Sequence, residues 1–260
     1  MEAGRVSASA AGGVYLVGAG PGAADLLTVR AARLLAEADV VLHDALVGSD
    51  VLALASRARL IPVGKRAQRP STAQRFIDRQ LVDCARKYRT VVRLKGGDPM
   101  LFGRADEEMR ALRAAGIAFE IVPGVSAAFA AAADLQVSLT RRGVARSVAF
   151  LTPCIGTDEA KSNWIDVASS VDTAVIYMAG RNLAVVAARL VAAGRAPSTP
   201  LAVVESASMP GSVRWMGTLG LATQWTGATI SDGPVLIVVG DVMLDQLAAL
   251  AAAAPLQVAA

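Results

Sequence analysis

The chain has a single histidine, His43, and two cysteines, Cys84 and Cys154, seventy positions apart. That inventory supplies neither a Cys/His ligand set for zinc nor a disulfide framework, so the expected chemistry runs without a protein-held metal. Aromatic residues make up only 4% of the 260 positions, and no basic patch is interleaved with them. Base stacking therefore lacks its platforms, and the formal charge of +4 suits an anionic small molecule; nucleic acid is not expected as a partner. Hydrophobic residues reach 54%, yet no run of eighteen apolar residues is free of charge or glycine, so no membrane partner is expected either. Residues 1–12 are small and carry no apolar middle of a secretory signal. They read as a mobile tail on a cytoplasmic protein.

What is present is an alternation of short apolar runs and helical stripes. Residues 14–17, 40–42, 60–63, 91–94 and 118–122 predict strands, and 28–38, 49–56, 73–87 and 105–115 predict helices. Thr28 stands where a helix cap belongs, and Gly116 where a helix stops. Strand–helix alternation of this kind implies a mostly parallel sheet with helices on both faces. Near 140–146 the composition turns basic and polar, which suggests a linker. Beyond it, strands at 148–151, 174–178, 201–204 and 235–239, a helix at 183–193 and a hairpin near 209–211 suggest a second α/β unit. The expected division is a tail over 1–12, an N-terminal α/β domain over 13–143, a C-terminal one over 144–250, and a tail over 251–260.

Three strand ends carry the chemistry. Gly18-Ala19-Gly20-Pro21-Gly22 follows the first strand and matches a dinucleotide fingerprint, with Ala23 in the last place. Pro21 removes one amide donor and Asp25 places a negative charge near the following helix, so a phosphate fits poorly there. Gly96-Gly97-Asp98-Pro99 follows the strand over 91–94 and is more specific. Its glycines admit close approach or positive φ, and Asp98 either accepts from a ligand ammonium or hydroxyl or caps the next segment. Pro123-Gly124-Val125-Ser126-Ala127 is a third strand-end turn, equally a helix start or a ligand contact. Asp44, after the strand over 40–43, is either a helix N-cap or a site carboxylate, and Lys65 is either solvated or functional. His43 receives no role.

Taken in order, Val17-Gly18-Ala19-Gly20-Pro21-Gly22, Asp44-Ala45-Leu46-Val47, Val63-Gly64-Lys65-Arg66, residues 91–99, Phe102-Gly103-Arg104, Val122-Pro123-Gly124 and Ile176-Tyr177-Met178 resemble the tetrapyrrole methylases. The likeness runs from about residue 13 to residue 248 and is nearest to the branch that methylates uroporphyrinogen III. It implies two α/β domains with mostly parallel sheets and an inter-domain cleft, of the class III methyltransferase kind. It also implies a homodimer, S-adenosyl-L-methionine as methyl donor, S-adenosyl-L-homocysteine as product, and a tetrapyrrole substrate methylated at two ring carbons to give precorrin-2.

Carried over position by position, the resemblance assigns Pro21, Gly96, Gly97, Asp98, Leu101, Ser126, Ala127, Met178 and Ala207 to the donor site. It makes Asp44 the proton acceptor and Lys65 the proton donor. Ala207 stands where the family has glycine, so a backbone contact there requires negative φ. Rival expectations are a methylase of a later corrin precursor, a non-catalytic S-adenosylmethionine-binding protein, and an NAD-dependent oxidoreductase using Asp39 or Asp44 for the ribose.

Overall fold

A computed structural model describes residues 13–63, 70–153, 162–224 and 233–253. Contacts divide the chain after Ser126 into two units. In the first, strands β1 (Gly13–Gly18), β2 (Val40–His43), β3 (Arg59–Pro62), β4 (Thr90–Lys95) and β5 (Phe119–Val122) form a sheet ordered β3-β2-β4-β1-β5. Every neighbouring pair is parallel. All five strands therefore end at the same edge, where the glycine turns and Asp44 lie.

Helices α1 (Val29–Glu37), α2 (Ser49–Ala53), α3 (Pro70–Lys87) and α4 (Ala105–Ala114) connect them. Thr28 caps α1, its hydroxyl accepting from the Ala31 amide at 3.1 Å. Gly116 follows α4 at φ +70°, the left-handed conformation that lets the chain turn back. The strand pleat sends alternate β4 residues to opposite faces. Val92 and Leu94 join the core under α1 and α2, with Leu34, Leu35 and Val51. Val91 joins the other core with Leu42, Leu81, Met109 and Leu112.

The second unit begins earlier than the basic stretch suggested. Six of the nine residues of helix α5 (Ala127–Leu135) are alanine, and its Ala128, Ala130 and Ala131 pack into a core with Val175, Ala202, Val204 and Val238. Residues 140–146 are a tight turn of this unit rather than a linker. Arg141 and Ala145 exchange backbone hydrogen bonds of 2.9 and 2.8 Å, and Ala145 is buried in the same core. The division expected at 143/144 thus falls after Ser126.

The remaining elements are β6 (Val148–Leu151), α6 (Trp164–Ser170), β7 (Thr173–Tyr177), α7 (Leu183–Ala192), β8 (Pro200–Glu205), β9 (Val213–Thr218), α8 (Leu219–Ala222), β10 (Val235–Val239) and α9 (Leu244–Ala253). Their sheet is ordered β6-β7-β10-β8-β9. The α/β class holds for both units, but the expectation of mostly parallel sheets holds only for the first. Here β6–β7 is the parallel pair, and β10 runs against both β7 and β8, as β9 runs against β8. The sequence concealed this because β8 and β10 are buried along nearly their whole length. A continuous apolar run such as Val235-Leu236-Ile237-Val238-Val239 usually marks a parallel strand covered on both faces. Among the described residues, no helix is long and apolar enough to cross a membrane.

The start of β6 is fixed by Asp172, whose carboxylate accepts from the Arg146 and Ser147 amides and the Ser147 hydroxyl at 2.8–2.9 Å. Those bonds hold its carboxyl below the ordinary value of 3.8. Its contribution is therefore complete above about 3.8 and fades as pH falls through the lowered folded value. In Asp172→Asn this part of the acid dependence should vanish, read as a flatter acid limb of thermal stability against pH.

Candidate functional site

Three turns meet at the carboxyl edge of the first sheet with backbone against backbone. Gly20 and Gly97 form a bridge, the Gly97 amide donating to Gly20 O at 2.8 Å and the Gly20 amide to Gly97 O at 3.2 Å. The Ala19 amide donates to Lys95 O at 2.7 Å. A Cβ on Gly18 would lie 2.6 Å from Gly124 Cα and 2.7 Å from Gly97 O, and one on Gly124 would lie 2.3 Å from Gly97 O. None of these neighbours is a flexible side chain that could swing aside. The turns therefore require glycine at Gly18 and Gly124 for proximity, and at Gly97 (φ +66°) for conformation.

On the outer side the same turns are open. A Cβ on Gly97 would meet nothing within 4 Å, and one on Gly96 only Leu46 Cβ at 4.0 Å. This is a bare backbone shelf of the kind a small ligand can approach closely. The expected donor residues Pro21, Gly96, Gly97, Asp98, Leu101 and Ser126 all belong to these three turns or their immediate continuations.

Asp98 is what ties the second turn to the third. Its Oδ2 accepts from the Gly124 amide at 2.9 Å and its Oδ1 from the Met100 amide at 2.8 Å. Both readings of its carboxylate in the sequence are thereby narrowed: Asp98 holds the turn and caps the next segment, and any ligand contact is made by a group already fixed by two amides. Leu101 N closes the same turn on Asp98 O at 3.3 Å.

Asp44 sits one residue beyond β2, its amide donating to Leu94 O at 3.1 Å. Its side chain is 31% exposed, and Oδ1 accepts from Arg93 Nη2 at 2.5 Å. The same guanidinium donates through Nε to Glu108 Oε1 at 2.8 Å, and Lys95 Nζ donates to both Glu108 oxygens at 2.9 Å. Arg93, Lys95 and Glu108 are all at most 2% exposed. Burial disfavours the Arg93 charge, but Glu108 and Asp44 outweigh it and raise the guanidinium above its ordinary value. Burial, with Arg93 beside it, holds the Lys95 ammonium below the ordinary lysine value despite Glu108 and Asp44.

This buried network was missed in the sequence, although a signal existed. Arg93 and Lys95 alternate with apolar residues in a strand that runs through the sheet's interior. Glu108 lies on the buried stripe of α4 with Ala105, Met109 and Leu112. Charges in such positions need partners, and those partners had to come from each other.

In the second unit, β7 and β8 each run against β10, so they end at the same edge of that sheet. Met178 follows β7 and Ala207 follows β8, each at a strained turn. Met178 has φ +57°, while at the other turn positive φ falls on Ser206 (+51°) and Ser208 (+67°) and not on Ala207. An alanine at 207 is thus tolerated, as a backbone contact there requires. Such outliers in non-glycine residues cost energy and gather at ligand sites. Ala127 opens α5. Lys65 lies outside the described residues, as does Cys154. A concavity of about 510 Å³ in this unit, lined by residues including Asp134, Gln136, Arg214 and Trp215, contains none of the expected site residues.

The geometry disfavours a dinucleotide. Helix α1 begins only at Val29, well past the glycine turn, with a first-turn amide already capped by Thr28, so it does not offer its amino terminus to a phosphate as the fingerprint demands. Asp39 precedes β2 and accepts from the Thr90 amide at 2.8 Å. It therefore stands at the opposite sheet edge from the turns. Asp44 is engaged by Arg93.

An α/β chain with glycine-built strand ends around an open backbone shelf is of the class that binds small molecules at a sheet edge. The sequence profile of the tetrapyrrole (corrin/porphyrin) methylases matches residues 13–222, and the chain belongs to that family. It is 43% identical over 234 residues to the uroporphyrinogen-III C-methyltransferase of Pseudomonas aeruginosa, covering 90% of this chain and 95% of that protein. It is 42% identical over 240 residues to the siroheme synthase of a Psychrobacter species, covering 91% of this chain and 49% of that one. The chain thus spans about half the length of several siroheme synthases it matches. The crystal structure of Thermus thermophilus uroporphyrin-III C-methyltransferase with S-adenosylhomocysteine superposes with a TM-score of 0.77 at 39% identity, covering 90% of this chain and all of that one.

Truncating the staple tests the site's construction. Asp98→Ala should free the Met100 and Gly124 amides, seen as faster hydrogen exchange at those positions, with a loss of about 1–3 kcal/mol in folding stability. Gly18→Ala should destabilise by a similar 1–3 kcal/mol in denaturant unfolding, because its Cβ meets backbone.

Proposed function

We propose that the chain is an S-adenosyl-L-methionine-dependent C-methyltransferase that methylates uroporphyrinogen III at two ring carbons in succession, giving precorrin-2. The observation that carries this reading is the open Gly96–Gly97 shelf lying beside Asp44, a partly exposed carboxylate held at the same sheet edge. Membership of the tetrapyrrole methylases and the likeness to uroporphyrinogen-III methylases support the choice of donor and substrate.

The fit to the donor is tested by the shelf itself. A glycine pair with no atom within 4 Å beyond a virtual Cβ at Gly97 leaves main-chain groups accessible to a nucleoside, and side chains at 96 or 97 would fill that space. When bound, S-adenosyl-L-methionine supplies an electrophilic methyl group, so the protein's task is alignment. Holding donor and acceptor carbon at near-attack distance is worth roughly 7–11 kcal/mol of barrier. The resemblance assigns Pro21, Gly96, Gly97, Asp98, Leu101, Ser126, Ala127, Met178 and Ala207 to this holding.

As a C–C bond forms at a pyrrole carbon and the C–S bond breaks, positive charge passes to the ring system and is discharged by loss of a proton. Asp44 is read as the acceptor of that proton. Its Oδ1 is held by Arg93, and among the described residues no donor reaches its Oδ2. A positioned base of this kind contributes on the order of 10²–10⁴-fold. Lys65 is assigned the proton-donor role on the resemblance alone. The same reading makes the protein a cytoplasmic homodimer acting on a carboxylate-rich macrocycle, which its surplus of basic residues suits.

Calorimetry with S-adenosyl-L-homocysteine should give saturable binding to the wild type and none with NADH. Incubation with labelled donor and uroporphyrinogen III should add two methyl groups by mass spectrometry, and Asp44→Asn should cut that rate roughly 10²-fold or more. Tight S-adenosyl-L-homocysteine binding with no methyl gain on the macrocycle would discard the proposed substrate.

A further inference from the structure

We propose that Arg93 is a positioning residue for methyl transfer: it fixes the carboxylate of Asp44, and Glu108 and Lys95 fix Arg93 from behind. The proposal rests on the reading of Asp44 as proton acceptor. Its physical basis is a chain of contacts running inward from the sheet edge. Asp44 Oδ1 receives Arg93 Nη2 at 2.5 Å, Glu108 Oε1 receives Arg93 Nε at 2.8 Å, and Lys95 Nζ spans both Glu108 oxygens at 2.9 Å each. Arg93 Nη1 also donates to Leu94 O at 3.0 Å.

The register explains why these side chains meet. Leu42 on β2 faces Arg93 on β4, and Asp44 lies two residues past Leu42, so the pleat returns it to the same face. Lys95 is two residues past Arg93 on that face, and α4 presents Glu108 from its buried stripe. Four charges, two of each sign, thus meet through these hydrogen bonds at the inner face of the sheet edge.

A guanidinium is suited to this work and an ammonium is not. Its planar fork donates along several fixed directions at once, so a single side chain grips Asp44 and Glu108 with a defined angle between them. With Oδ1 so held, the Asp44 carboxylate cannot rotate freely, and its Oδ2 keeps one direction. Arg93 itself is 2% exposed, so its influence on turnover passes through Asp44, the partly exposed group it holds.

The test is a double-mutant cycle on Asp44→Asn and Arg93→Lys, measuring kcat and KM for uroporphyrinogen III, S-adenosyl-L-homocysteine affinity and melting temperature. In the wild-type background Arg93→Lys, which keeps the charge but loses the fork, should lower kcat roughly 10²-fold with donor affinity unchanged. In the Asp44→Asn background the same change should alter kcat by no more than about twofold, since neighbours acting as one unit are not additive. A purely structural Arg93 would lower both backgrounds by the same factor, and that result overturns the proposal, as does wild-type kcat in Arg93→Lys. If Asp44→Asn alone leaves kcat intact, the assignment of Asp44 fails, and that outcome is distinct from additivity. Should Arg93→Lys not fold, Glu108→Gln replaces it in the cycle, releasing Arg93 from behind, with the same two outcomes deciding.

Discussion

At the carboxyl edge of the first sheet, Gly18, Gly97 and Gly124 touch through their main chains, with no room for even a methyl group at two of the three. This contact sets the spacing of the strand ends and therefore of whatever they present. Because β1 is flanked by β4 and β5, the three turns are neighbours by topology, and hydrogen bonds between backbone groups finish what strand pairing begins. The Asp98 carboxylate then binds turn to turn without adding bulk on the outer face. The outcome is an edge that is rigid from within and bare from without, which is the preorganised state that a ligand-aligning enzyme needs.

Much of this was legible in the residues. Alternating apolar runs and helical stripes located β1, β2, β4 and β5 to within a residue or two, and Thr28 and Gly116 act as the cap and stop their chemistry suggests. The strand-end glycines were recognisable as a group because each follows a buried run. What escaped was information that no local window contains. Alanine-rich 127–135 has little amphipathic contrast, so its membership in the second unit is visible only through the core it joins. Likewise, the direction of β10 depends on its partners and not on its own five residues. Asp98 and Asp44 each had two readings, and the structure shows why a choice was hard. Asp98 is committed to two backbone amides, while Asp44 owes its posture to an arginine far along the chain.

Arg93, Lys95 and Glu108 are withdrawn from water at several kcal/mol apiece, and their mutual bonds offset rather than exceed that cost. Well-packed hydrophobic residues of similar volume in all three places are often neutral or stabilising. Removing a single partner is different, since the remaining charge is stranded at a cost of about 3–5 kcal/mol. Such a network is therefore a poor source of stability and a good source of fixed orientation, and it lies directly behind the partly exposed carboxylate of Asp44.

The lateral margins of the first sheet have their own character. Strand β3, the outermost on one side, is largely exposed, begins with Arg59 and ends with Pro62. A proline offers no amide to an incoming strand, and a charged neighbour discourages one from docking. The flank most available for recruiting another chain is thus blunted at both ends. An edge built in this way disfavours edge-to-edge pairing between copies, a hazard that every open sheet must manage.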